Sequence, residues 1–372
     1  MKIGVPKEIK NHEYRVGMTP SAVREAVNHG HKIVVETNAG NGIGSDDDTY
    51  RAAGAIIVDS AQEVFTTADM IVKVKEPQAN ERKMLREGQV LFTYLHLAPD
   101  PEQTKDLVDS GAICIAYETV TDGRGGLPLL APMSQVAGRM SIQAGAHCLE
   151  RAQGGAGILL AGVPGVRPAK VVIVGGGVVG ENAAYVAAGM GADVTILERN
   201  VGTMRSLTVR FGQSVKTLYS TSLTLEEEIL GADLVIGAVL LPGAEAPKLI
   251  TRDLVSRMKK GSVICDVAID QGGCAETSIA TTHAEPTYVI DGVVHYCVAN
   301  MPGAVSHTST YALNNVTLPI TLSLADKGYK QALLDDQHLL NGLNVCQGKV
   351  SYDAVAQVLG YEYIEPKVAL GG

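Results

Sequence analysis

The chain has 372 residues, 46% hydrophobic and 19% charged, enough apolar material for about two domains. Only 4% are aromatic and Trp is absent, so the cores must be built from Val, Ile, Leu and Ala, which suits buried parallel strands flanked by helices. A formal net charge of −9 with scattered basic residues excludes a nucleic-acid binder, and no apolar run reaches the ~18 uncharged residues of a membrane span.

In chain order, Met1–Glu8 lacks an apolar signal core and reads as mature protein opening directly on a strand, Lys2–Val5. Further strands are predicted at Lys32–Glu36, Met70–Val74, Gln89–Leu95 and Ala112–Tyr117. Helices are predicted at Pro20–Gly30 and Pro101–Gly111, each with proline in the first turn and glycine at the end. This β/α alternation implies a mostly parallel sheet. Gly123–Pro128 punctuates the unit, and a long helix is expected from about Ser134 to Ala152, because Val136, Met140, Ala144 and Cys148 recur every four residues. Gly154–Pro168 reads as a connector.

From Lys170 the pattern is sharper. Lys170–Val174, a Gly175-Gly-Gly177-Val-Val-Gly180 turn, a helix, and then Asp193–Glu198 make a dinucleotide-binding βαβ signature. Gly175 permits the tight turn, Gly177 the approach of backbone to a pyrophosphate, and Gly180 the packing of helix on strand. A purely structural βαβ turn is the bland alternative. Glu198 is placed to accept both adenosine ribose hydroxyls and to repel a 2′-phosphate, which favours NAD, although neighbouring Arg199 is a possible recruiter of that phosphate. Four more strands are expected at Ser214–Tyr219, Asp233–Leu241, Ser262–Ile269 and Val293–Val298, giving a six-stranded doubly wound domain. The tail then reads as helical: 308–327, 330–342 and 351–359. The fold class is therefore α/β, with two doubly wound parallel-sheet domains. A Rossmann domain at 130–306 is inserted into a discontinuous substrate domain formed by 1–129 and 307–372.

Ligands of open α/β sheets sit at the carboxyl ends of strands. Arg15, Lys75 and His96 fall there in the first domain. Two cations and an imidazole suit a small 2-oxo or 2-amino acid. Asp270 is read as closing the strand Ser262–Ile269, either orienting substrate or merely forming the turn that precedes Gly272 and Gly273. Asp266 reads as structural. The cysteines (114, 148, 265, 274, 297 and 346) show no CxxC and no metal spacing, which fits buried thiols of a reducing, cytoplasmic compartment.

Several motifs together resemble the alanine dehydrogenase family, which is shared with the soluble NAD-binding part of proton-translocating transhydrogenase. They are Met1–Glu8 with Arg15–Pro20, Lys73-Val-Lys75-Glu-Pro77, Tyr94-Leu-His96, Asp266-Val-Ala-Ile-Asp270-Gln-Gly-Gly-Cys274, Cys297–Gly303 and Thr308–Asn314. The resemblance covers essentially the whole chain. It implies reversible NAD-dependent oxidative deamination of L-alanine to pyruvate and ammonia by a homohexamer. Arg15 and Lys75 would hold the substrate carboxylate, with His96 as general acid/base and Asp270 as the second catalytic residue. Ser134, Val178, Val179, Glu198, Ser220, Val239, Leu240, Val267, Ala268, Ile269, Asp270, Val298, Ala299, Asn300 and Met301 would contact the dinucleotide. A transhydrogenase subunit handing hydride to a membrane partner, or another small amino-acid dehydrogenase, is the alternative. The sequence departs from the family at Thr203 and Ile279, which carry no cofactor contact here. Ser323 and Lys327 stand where some members place magnesium ligands, so no metal is assigned.

Overall fold

The computed structural model describes residues 1–239 and 246–371. The chain forms two compact units, Met1–Met133 with Val305–Gly372, and Ser134–Ala304. Strands are numbered β1 to β15 along the chain.

The first unit is an eight-stranded sheet of β1 (Lys2–Val5), β2 (Lys32–Glu36), β3 (Ile56–Val58), β4 (Met70–Val72), β5 (Val90–Thr93), β6 (Ile113–Ala116), β14 (Leu343–Cys346) and β15 (Lys349–Val350). The spatial order is β15-β14-β6-β5-β4-β1-β2-β3. β1 to β6 are mutually parallel, whereas β14 runs antiparallel to both β6 and β15. The central strands are apolar throughout because helices cover both faces: Ile71, Leu91, Phe92, Ile113 and Ile115 are fully buried. Local chemistry sets the helix limits. Thr19 caps the helix Pro20–Asn28 by accepting from the Ala22 N–H at 3.3 Å. Asp100 does the same for Pro101–Ser110, which Gly111 closes at φ +67°.

The second unit has β7 (Lys170–Val174), β8 (Asp193–Glu198), β9 (Val215–Tyr219), β10 (Leu234–Gly237), β11 (Val263–Asp266), β12 (Thr287–Ile290) and β13 (Val293–Tyr296), ordered β12-β13-β11-β10-β7-β8-β9. All pairs are parallel except β12 with β13. Both units therefore reverse strand direction of travel at one place, between β1 and β4 in the first and between β7 and β10 in the second. Such a switch point opens a crevice at the carboxyl ends of the strands.

The structure differs from the sequence expectation at the edges. The tail is not wholly helical: after Ser306–Lys327, the predicted 330–342 helix splits into Tyr329–Asp335 and Gln337–Leu340, and β14 and β15 follow before Asp353–Leu359. The split falls at Asp336, whose carboxylate caps the second piece by accepting from the N–H groups of His338 and Leu339 at 2.8 and 3.2 Å. β3, β12, β14 and β15 have only two to four residues. Runs that short carry no readable period. The predicted strand Asp233–Leu241 ends at Gly237 within the described residues.

Candidate active site

In the first unit Arg15, Lys75 and His96 follow the carboxyl ends of β1, β4 and β5, three neighbouring strands that straddle the switch point. Arg15 is only 2% exposed and is gripped by Glu13: Nε to Oε1 at 2.7 Å, Nη2 to Oε2 at 2.6 Å. Burial opposes its charge, but the bond to Glu13 outweighs that and its pKa is raised. Its Nη1 lies 3.0 Å from the Met133 sulfur.

Lys75 is half-buried, and its position is set by a neighbour the sequence reading passed over. Lys73 is fully buried between two buried carboxylates, with Nζ 3.1 Å from Glu8 Oε2 and 2.7 Å from Glu81 Oε1. The other Glu8 oxygen accepts from the backbone N–H of Val74 at 2.7 Å and of Lys75 at 3.3 Å. Burial pushes the Glu8 carboxyl up while Lys73 pulls it down, and the net direction is up. Burial pushes Lys73 down, but Glu8 and Glu81 more than restore it, and its pKa is raised. A lysine inside the apolar run Met70–Val74 was the available signal, since a buried ammonium demands a buried anion. The distance in sequence from Lys73 to Glu8 hid the partner.

His96 takes the left-handed backbone conformation, φ +49°, which costs a non-glycine residue energy that the surroundings must supply. Glu118 supplies it by accepting from the His96 N–H at 2.6 Å and the Leu95 N–H at 3.1 Å. The imidazole stacks on Tyr94 with ring centroids 5.8 Å apart and stays 45% exposed. Buried Tyr94 donates to the Leu129 carbonyl at 2.6 Å, and burial raises its phenol pKa. Glu13, Glu8, Tyr94 and Glu118 thus hold the candidate residues, none of them singled out from sequence.

In the second unit the residues proposed for the dinucleotide, Ser134 and Leu240 apart, lie along the carboxyl edge of the six parallel strands. After β7, Gly175 has φ +104°, and a Cβ there would stand 2.7 Å from the Ala238 carbonyl. Gly177 caps the helix Val178–Gly189, and a Cβ at Gly177 would meet nothing within 4 Å, leaving open space above the helix amides. At Gly180 a Cβ would collide with the Gly175 carbonyl at 1.9 Å. This is a bare backbone cradle at a helix N-terminus, the chemistry that suits a pyrophosphate. Val178 is exposed and Val179 half-buried on that first turn.

Glu198 ends β8 beside the cradle. Its Oε2 accepts from the Gly176 N–H at 2.7 Å, and its Oε1 from those of Arg199 and Asn200 at 2.7 and 2.8 Å. Three of about four acceptor sites are thereby used to orient the carboxylate, leaving one side of Oε2 for a hydroxyl donor. Arg199 Nε reaches the Ser220 carbonyl at 3.4 Å, and buried Ser220 follows β9. Val239 lies beyond β10, and Leu240 lies outside the described residues. Beyond β13 come Val298 and Met301, 1% and 2% exposed, with half-buried Ala299 and Asn300 between them. Ser134 is not at a strand end but on an early turn of the helix Ala131–Cys148.

One expectation is corrected. β11 does not run to Ile269; it ends at Asp266, and Val267, Ala268, Ile269 and Asp270 form a 3₁₀ turn, Val267–Gln271. The Asp266 side chain turns back on the chain instead of facing along the strand, and Gly272 and Gly273 reverse direction at φ +88° and +82°. Asp270 is exposed on that turn.

The N-terminal and C-terminal domain models of the Alanine dehydrogenase/PNT family match residues 4–137 and 141–353. Alanine dehydrogenase of Halomonas elongata is 61% identical over 371 residues and that of Bacillus subtilis 55%, the alignments covering 100% of this chain and 100% and 98% of theirs. A solved L-alanine dehydrogenase superposes with a TM-score of 0.94 at 53% identity, covering 97% of this chain and 99% of that one. A transhydrogenase from Sinorhizobium meliloti shares the fold at a TM-score of 0.82 and 24% identity, covering 95% and 100%. Among the described residues no helix is long and apolar enough to cross a membrane.

Proposed function

Because the chain belongs to the alanine dehydrogenase/PNT family, we propose that it catalyses the reversible oxidative deamination of L-alanine with NAD. L-alanine, NAD⁺ and water give pyruvate, ammonium, NADH and a proton. The bound nicotinamide supplies the hydride acceptor in this direction and the donor in the other.

The second unit's residues divide the work of holding that dinucleotide. The Gly175–Gly180 turn and the helix N-terminus take the pyrophosphate, and the oriented Glu198 takes a ribose hydroxyl and disfavours a 2′-phosphate. The turn Val267–Asp270 and the segment Val298–Met301 line the nicotinamide side.

In the first unit Arg15 and Lys75 neutralise the substrate carboxylate, and Glu13 keeps the Arg15 fork in one plane so that Cα is presented in one orientation. His96 carries the protons. Its imidazole takes one from the substrate ammonium, which frees the nitrogen lone pair that helps hydride leave Cα. It passes that proton to solvent, takes a second from the water that adds to the resulting iminium, and returns this second one to the departing amine, while the carbinolamine hydroxyl proton leaves with the amine as ammonium. Asp270 balances the positive charge that develops on the nitrogen.

The observation that carries this reading is the placement of Arg15, Lys75 and His96 after three adjacent strands, each held by a carboxylate: buried Glu13 and Glu8 for the first two and half-buried Glu118 for the third. Purified protein should form NADH from alanine and not from bulkier amino acids; no NADH from alanine removes the proposal. Changing His96 to Ala should slow turnover by about 10²–10⁴-fold with NADH affinity retained. Turnover within about tenfold of the parent would take His96 out of the proton path.

A further inference from the structure

Asp266 is a buried carboxylate for which the chemistry above has no use. It ends β11 with 0% exposure. Its Oδ2 accepts three hydrogen bonds: from the Cys274 N–H at 2.7 Å, the Ala275 N–H at 3.1 Å and the Ser278 hydroxyl at 2.6 Å. Its Oδ1 is buried with no partner among the described residues. Two glycines make room for it. A Cβ on Gly237 would stand 2.6 Å from Oδ1, and one on Gly273 2.7 Å from Oδ2. Burying a carboxylate with one oxygen unmatched is costly unless the other bonds achieve something specific.

What they achieve is a closed loop. All three donors belong to one short segment, Cys274 to Ser278, which follows the double-glycine reversal. The chain leaves the sheet at Asp266, makes the turn Val267–Gln271, and returns to the same side chain eight residues later. That returning segment is pinned from its far side as well: the Tyr288 hydroxyl donates to the Thr277 carbonyl at 2.9 Å and accepts from the Ile279 N–H at 2.7 Å. Lys248 Nζ adds bonds to the carbonyls of Gly273 at 3.1 Å and Ala275 at 3.5 Å. A loop tied at its base holds its apex in one place, and the apex here carries Asp270. Sub-ångström placement is what a charged group facing a developing charge requires.

We infer that Asp266 is a positioning residue, closing the base of the 267–273 loop and so fixing where the Asp270 carboxylate stands during turnover. The inference rests on the proposed catalytic role of Asp270.

A double-mutant cycle on the full chain tests it. Asp266→Asn keeps the shape but replaces the carboxylate by an amide with a single acceptor oxygen. Ser278→Ala removes one of the three donors from a half-buried site and keeps the fold if Asp266→Asn does not. In the otherwise unchanged enzyme, Asp266→Asn should lower kcat at least about tenfold and Ser278→Ala about threefold; with Asp270→Asn already in place, each should lower it by less than about twofold, because residues acting as one unit are not additive. Equal fold losses in both backgrounds, or no loss from either change, would overturn the positioning role while leaving Asp270 in the mechanism. Asp270→Asn alone turning over at the parent rate would instead remove Asp270 from the chemistry, a failure of the parent reading that shows before Asp266 is touched.

Discussion

The two units have the same strand order about their switch points and fill the crevice in opposite ways. In the first, β1 is followed by a long non-helical stretch, residues 6–19, before the helix Pro20–Asn28 begins. That stretch brings Glu8, Glu13 and Arg15, and the segment that follows β4 contributes Lys73 and Lys75. In the second, three glycines separate β7 from the helix Val178–Gly189, and the crevice is lined with amides in place of side chains. One topology thus carries either a cluster of paired charges, proposed above to clamp a small carboxylate, or a bare backbone cradle, proposed to seat a pyrophosphate. The choice lies in the chain that leaves the first strand.

The contrast predicts that the two units fail differently. Lys73→Met strands Glu8 and Glu81 without a cation and should cost about 3–5 kcal/mol of stability, measured by denaturant unfolding at neutral pH. A loss below about 1 kcal/mol would mean that the first site does not depend on its buried charges. Gly180→Ala drives a methyl into the Gly175 carbonyl and should cost about 1–3 kcal/mol through forced backbone shifts. It should weaken NADH binding by about tenfold to a hundredfold, read by fluorescence titration. Unchanged NADH affinity would mean that the cradle is not built from close backbone contact.

The smallest effect concerns pH. His295 is fully buried in the second unit, bonded to the Thr277 hydroxyl at 2.8 Å and the Val293 carbonyl at 3.0 Å. Burial lowers its pKa from the ordinary 6.5, so the folded state favours the neutral ring. The stability this contributes is present above the unfolded pKa and is lost as pH falls through the lowered folded value. Urea midpoints should therefore drop between about pH 7.5 and about pH 5.5, and His295→Gln should flatten part of that drop. An identical slope in the variant would assign it to other groups.

The legible parts of this molecule are those whose cause is local. The Gly175–Gly180 turn, the βαβ unit around it and the apolar central strands follow from spacing, and the α/β class follows from them. Edge strands β3, β12, β14 and β15 were missed because their pairing depends on partners and not on their own few residues. The end of β11 was misjudged because Val263–Ile269 is an almost unbroken apolar run, and nothing local marks Asp266 as the point where the side chain turns inward.

The sequence by itself determined the fold class and which residue types stand at which strand ends, because strand periodicity and glycine turns act over a few neighbouring positions. Only the tertiary structure decided what holds those residues in place. Lys73 meets Glu8 from 65 positions away, Glu118 meets His96 from 22, and Asp266 meets Ser278 across a double-glycine turn. The free energy of a buried charge depends on which groups the completed fold sets beside it, and no local pattern carries that information.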